Sequence, residues 1–161
     1  MRARGLTLLE VMIALAILAI IATLALPTLA GAAERARLKS AAETLAADLA
    51  EARFESARRG QPLTVEATVG PAWCWVVATD SGCPCGEKQA CRLKAAQASD
   101  FVGIAMSDAH SVRFDPTGTA DTQGGALFQS SRGEQLRVDL LALGRARICA
   151  PQGALPGYPA C

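Results

Sequence analysis

The sixteen residues from Val11 to Leu26, VMIALAILAIIATLAL, carry no charge and a single hydroxyl, that of Thr23. A run of this kind must be buried in a core, in a bilayer or among similar helices, because water disfavours so much apolar surface. Extended back to Leu6 it covers 21 residues and gains only Thr7 and Glu10 as polar members. At about 1.5 Å per residue such a helix reaches roughly 31 Å, the thickness of a bilayer's hydrocarbon layer. Arg2 and Arg4 precede it, so the positive-inside rule predicts a cytoplasmic amino terminus and a carboxyl-terminal remainder on the far side. Two fates fit the leader. It remains as a single-pass anchor, or signal peptidase cuts after Ala30-Gly31-Ala32, which has the A-x-A form, and releases a periplasmic binding protein. The length of the run and the position of Glu10 favour the anchor. A carboxylate near a bilayer centre costs about 2.5–3.5 kcal/mol, so Glu10 calls for a partner or an interfacial position.

Beyond the apolar run, residues 28–60 continue as an amphipathic helix. The stretch 32–59 is rich in Ala, Glu, Arg and Leu, with Leu38, Ala42, Leu45, Leu49 and Ala52 recurring on one face. Glu34, Arg35, Arg37, Lys39, Glu43, Glu51 and Arg58 are predicted on the wet side. Gly60 and Pro62 end the helix, and Pro27 with Gly31 marks an expected bend or local melting point.

From Gly60 onward the pattern becomes that of strands, predicted at Leu63–Val69, Trp73–Thr79, Ser111–Asp115, Ala126–Gln129, Gln135–Leu141 and Arg145–Cys149. Turn formers separate them: Asp80-Ser81-Gly82, Asp115-Pro116-Thr117-Gly118, Gly124-Gly125 and Gly144. Residues 61–161 therefore read as an antiparallel meander packed on the second half of the helix, an α+β fold. The stretch at about 80–110 contains no predicted strand.

Cys74, Cys83, Cys85, Cys91, Cys149 and Cys161 all follow the apolar run, in an oxidising compartment by its topology. Three disulfides are predicted, with Cys149–Cys161 closing the tail and the other four clipping the stretch at about 80–110, their connectivity open. A zinc site is disfavoured: Cys83-Pro84-Cys85 is not a C-x-x-C pair and no His accompanies it. No cofactor and no catalysis are expected. His110 is the only histidine, and its neighbours Ser107, Asp108 and Ser111 lie in a polar stretch of a kind that rarely forms a triad. Glycines 124, 125 and 133 match no phosphate-binding fingerprint.

RGLTLLEVMIALAILAIIATLALP resembles the signal and first helix of type IV prepilins and type II secretion pseudopilins. The resemblance implies removal of residues 1–5 by prepilin peptidase between Gly5 and Leu6, methylation of the new terminus, and an assembly role for Glu10 and Pro27. Leu6 replaces the family's usual Phe. The cationic terminus of one subunit would neutralise Glu10 of its neighbour within a fibre. EARFESARRGQPLTVEA, VRFDPTGTA, GGALFQ and LRVDLLALGRARIC are similar to the GspH/FimT branch of minor pilins and pseudopilins, while the poor likeness across 81–109 implies a family-variable, disulfide-rich insertion at about 80–110. This implies a pilin-like fold, anchorage of 6–27 in the inner membrane, a periplasmic β domain and other pilins as partners. A FimT/FimU-like pilus subunit and a GspH-like secretion pseudopilin both remain open.

Gly144-Arg145-Ala146-Arg147 resembles the GRxR motif that FimT-type pilins use to bind DNA in natural transformation. Arginines at i and i+2 of a strand share a face, and Arg132 and Arg137 are candidates to widen it toward double-stranded DNA. Asp139 across the hairpin is the counter-expectation, since it would neutralise Arg147. Overall charge offers no help: loss of Arg2 and Arg4 leaves fourteen basic against fifteen acidic side chains.

Overall fold

The computed structural model describes residues 7–79, 81–85, 90–121, 124–141, 143–153 and 155–161, without the side chains of 24–28. The chain divides into two compact units, residues 1–33 and 34–161. One helix, α1 (Leu8–Arg59), belongs to both. It stays helical through positions 27–31, so the expected melting there is absent. The flanking Leu and Ala are strong helix formers, and a proline withdraws only one N–H from the ladder. Gly60 closes α1 in the left-handed conformation (φ 62°), with the Gln61 amide donating to the Ser56 carbonyl at 3.2 Å.

In the first unit the apolar side chains face outward: Leu8 is 81 % exposed, and Leu9, Met12, Leu15, Leu18 and Ile20 are all exposed. Among the described residues no helix is long and apolar enough to cross a membrane. The predicted span, 6–26, extends into residues outside that description.

In the second unit the predicted stripe of Leu38, Ala42, Leu45, Leu49 and Ala52 is fully buried. It packs into a core shared with eight strands: β1 (Leu63–Thr68), β2 (Cys74–Ala78), β3 (Arg92–Gln97), β4 (Ile104–His110), β5 (Val112–Phe114), β6 (Gly125–Ser130), β7 (Gln135–Leu140) and β8 (Ala146–Cys149). The pairings among these eight strands are antiparallel, as in the expected α+β fold, but they form two four-stranded sheets instead of one meander: β3-β2-β1-β5 and β4-β6-β7-β8. Ser111 alone separates β4 from β5, yet the two strands enter different sheets. The presumed insertion supplies β3 and β4. Lys, Ala and Gln in β3 carry little strand propensity, and a bulge between Met106 and Asp108 breaks the alternation of β4.

The two sheets meet over an aromatic cluster in which the rings of Trp73, Trp75, Phe101 and Phe128 lie 5.7–5.9 Å apart. Trp73 donates to the Ile104 carbonyl (2.8 Å) and Trp75 to the fully buried Asp48 carboxylate (2.7 Å). Lys94 on β3 completes that network with its ammonium 2.6 Å from Asp48 and 3.1 Å from Glu51. The sequence reading also placed Glu34 on the wet side. It is instead 8 % exposed, because it accepts from the Ser131 amide and hydroxyl and so ties the β6–β7 turn to α1. The Ser131 hydroxyl is the main reason its carboxyl lies below the usual carboxylate range, with Arg132 adding to the effect.

The disulfides are Cys74–Cys85, Cys83–Cys91 and Cys149–Cys161. The last closes the tail, as expected. Lys39 holds that tail against α1 through the Pro156 carbonyl (2.9 Å) and the Tyr158 ring, and Glu43 accepts from the Tyr158 hydroxyl.

Candidate functional site

Gly5 and Leu6 lie outside the described residues, as does the side chain of Pro27. Glu10 lies in the exposed first turn of α1, where Thr7 caps its amide at 3.3 Å. No ion pair to Glu10 occurs among the described residues.

The five basic-face candidates do not form one surface. Arg147 sits opposite Asp139 in the β7–β8 ladder, with the charges 3.7 Å apart, so the counter-expectation holds. Arg137 faces Asp108 at 4.0 Å, and Arg132, at the β6–β7 turn, lies 3.4 Å from Glu34. The exposed Arg147 and Arg137 pairs contribute at most about 1 kcal/mol, but all three pairs set a carboxylate beside a would-be phosphate contact. Arg137, Arg147, Asp108, Asp139 and His110 line a groove of about 520 Å³ on the outer face of the second sheet, an almost neutral surface. Gly124 and Gly125 form its floor, where a Cβ on Gly125 would fall 1.8 Å from the Val138 carbonyl oxygen. His110 ends strand β4, mostly exposed, with Asp108 3.5 Å away, and the Ser107 hydroxyl turns to the Leu127 carbonyl (3.4 Å). The three do not form a relay. Among the described residues no group of His, Cys, Asp and Glu could hold a metal ion.

Arg145 lies elsewhere. Its carbonyl accepts from the Leu141 amide, closing the turn ahead of β8, and it lines a second groove of about 580 Å³ between α1 and that turn. The helix contributes Ala46, Ala50, Arg53, Phe54 and Ala57, and the opposite wall contains Thr117, Gly118 and Gly144. Arg53 bridges the walls by donating to the carbonyls of Gly118 (3.0 Å) and Gly144 (3.4 Å). Gly144 suits this position twice over: its φ is 70°, and a Cβ there would meet the Arg53 guanidinium at 3.1–3.3 Å. The Gly118 turn is organised by Asp115, which accepts from the amides of Thr117 and Thr119 and from the Thr117 hydroxyl. The Thr117 hydroxyl leads the contacts that hold its carboxyl below the usual range.

Sequence reasoning missed Arg53 and Phe54. Both sit in a helix whose mixed charges read as a solvated face. Phe54 interrupts that face with an aromatic ring, a signal that could have been noticed, whereas the Arg53 bridge depends on long-range packing.

The family described as type II transport protein GspH matches residues 41–144, and the prokaryotic amino-terminal methylation motif matches residues 1–26. No curated protein sequence matches the chain. Two crystal forms of the type IV minor pilin FimU of Pseudomonas aeruginosa share the fold. One has a TM-score of 0.54 and 22 % identity over 74 % of this chain and 96 % of FimU. The other has 0.52 and 21 % over 71 % and 98 %. With a methylation motif ahead of a GspH domain that fills most of the globular unit, the chain belongs to the GspH/FimT family of minor type IV pilins and pseudopilins.

Proposed function

We propose that the chain is a FimT/FimU-like minor pilin with a structural, non-enzymatic role in a type IV pilus or its tip and priming complex. Prepilin peptidase cuts between Gly5 and Leu6, residues 6–26 anchor the subunit in the inner membrane, and the β domain occupies the periplasm until assembly. One observation carries this reading: the apolar side chains of 8–21 face outward, beside a carboxylate with no ion pair among the described residues. A bilayer, and then neighbouring helices, would cover the first, and the methylated amine of an adjacent subunit would neutralise the second. The GspH domain supports a second reading, a minor pseudopilin of a type II secretion system. Intact-mass analysis tests the shared step. A methylated Leu6 terminus is expected, together with loss of incorporation in Glu10→Ala. A start at Ala33, or normal incorporation of Glu10→Ala, overturns the proposal.

DNA contact in natural transformation belongs to the pilus reading. Arg145 supports it best, since Arg132, Arg137 and Arg147 each lie beside a carboxylate.

A further inference from the structure

We infer that the groove between α1 and the turn ahead of β8 is a site for single-stranded nucleic acid, with Arg145 and Arg53 on phosphates and Phe54 under a base. The inference rests on the DNA-contact reading and moves it from the outer face of the second sheet to the helix side of the domain.

Charge comes first. No carboxylate lines this groove. Arg53 spends its hydrogen bonds on the neutral carbonyls of Gly118 and Gly144, so its positive charge stays uncompensated. Arg145 is exposed and has no ion pair among the described residues. The acids nearest along the chain are engaged elsewhere: Glu51 with Lys94, Glu55 with Arg58 and Arg59, Asp139 with Arg147, and Asp115 with Thr117 and Thr119. One helical turn beyond Phe54, Arg58 and Arg59 share the single carboxylate of Glu55, which leaves further positive charge at that end of α1. The outer-face groove has the opposite character, because Asp108 and Asp139 are interleaved with its arginines.

Shape and surface come second. Phe54 is 66 % exposed, although an aromatic ring on a helix that packs against a core is ordinarily turned inward. Ala50 and Ala57 beside it are too small to obstruct an approaching ring. A cationic rim beside an open aromatic platform is the combination that holds single strands, where every base offers a face for stacking and the phosphates supply the charge. Duplex DNA keeps its bases stacked on each other and can use only the rim. The Arg53 bridge makes this rim rigid. It sets the Gly144 turn relative to α1, so Arg145 and Phe54 keep a constant spacing without a ligand-induced rearrangement.

The test measures fluorescence anisotropy of a labelled oligothymidylate of about fifteen nucleotides with the full chain in non-ionic detergent. Two phosphate contacts predict a log–log salt slope of about −1.4, and Arg145→Ala should reduce its magnitude by about 0.7. Phe54→Ala should weaken binding about tenfold with little change of slope, because stacking is not ionic. Arg147→Ala should leave affinity within about twofold. A duplex of the same length should bind more weakly than the single strand. If Arg147→Ala abolishes binding while Phe54→Ala does not affect it, the groove assignment is overturned and DNA contact on the outer face survives. If neither oligonucleotide binds, DNA contact itself is overturned. An acidic peptide that binds through Phe54 and Arg145 while oligothymidylate does not would make the groove a protein-docking site, and the inference would be wrong. Circular dichroism of each variant separates lost contact from lost fold.

Discussion

Lys94 gives the sharpest test of how the globular unit is held together. Asp48 is fully buried, accepts from the Trp75 indole at 2.7 Å and lies 2.6 Å from the Lys94 ammonium. Removing the cation strands a carboxylate in the core, which costs about 3–5 kcal/mol where both partners are sealed from water. Lys94 is 48 % exposed, so solvent screens part of that energy and about 2 kcal/mol is expected for Lys94→Met. Asp48→Asn keeps an oxygen for Trp75 and removes the charge, for a cost of about 1 kcal/mol. In the double variant the stranded charge is gone, so the two losses should fall short of additivity by about 1 kcal/mol or more. Urea unfolding of the Glu34–Cys161 unit, followed by the fluorescence of the buried Trp73 and Trp75, measures all three. A Lys94→Met loss under about 0.5 kcal/mol, or strict additivity, would refute the network. Its pH dependence has a definite sign. Asp48 first and Glu51 second raise the ammonium's pKa above its ordinary 10.5. The contribution is therefore complete below that value and is lost as pH climbs through the raised one.

Two further tests address the tail. Tyr158 is the only tyrosine, so phenolate absorbance reports it alone. Burial first and Glu43 second push its pKa from 10.0 up to about 12, so it should remain un-ionised at pH 11, and Glu43→Gln should lower the midpoint without restoring the ordinary value. A midpoint near 10 in the parent would contradict the docked tail. Serine at both Cys149 and Cys161 opens a loop spanning a separation of 12 residues, for a loss of about 3 kcal/mol in urea unfolding. A loss below about 1 kcal/mol would mean that the Lys39 and Glu43 contacts hold the tail without the crosslink.

Much of this architecture could be read from the chain because its signals are local. The stripe from Leu38 to Ala52 has helical spacing, Gly60 and Pro62 terminate α1, and β6 and β7 alternate strictly between buried and part-exposed positions. Pairing between distant strands has no such signature. Nothing near Ser111 announces that the chain changes sheets there, and β3 is built from residues that favour no strand. Glu34 was misplaced and Asp48 passed over for the same reason: each looks like a solvated helix charge until Ser131 or Trp75, brought in from a turn or strand, satisfies it. The GRAR segment shows the limit of period-two reasoning. Arg147 obeys the alternation of β8, with Ala146 and Ile148 toward the core, whereas Arg145 precedes the strand and follows a glycine at positive φ. A rule for strand faces does not reach it.

The two units handle charge and apolar surface in opposite ways, and this contrast bears on assembly. In residues 34–161 the helix stripe is covered, and the buried Asp48 and Glu34 find partners within the unit. Among the described residues, that unit builds its core from its own side chains. In residues 8–21 the reverse holds: Leu, Ile, Val and Met side chains are exposed, and the acid among them has no ion pair among the described residues. A bilayer satisfies the apolar side chains but penalises the carboxylate, by about 2.5–3.5 kcal/mol at the midplane and by less near the end of the span where Glu10 sits. Packing against the helices of other pilins satisfies the side chains equally well, and it removes the penalty once a neighbour's amine lies at the same depth. On the proposed reading the difference between those two environments favours leaving the membrane for the fibre. Apolar burial contributes little to that preference, because lipid and helix are similarly apolar. The direction of assembly then depends on one carboxylate, while the greasy run around it serves mainly to keep water away.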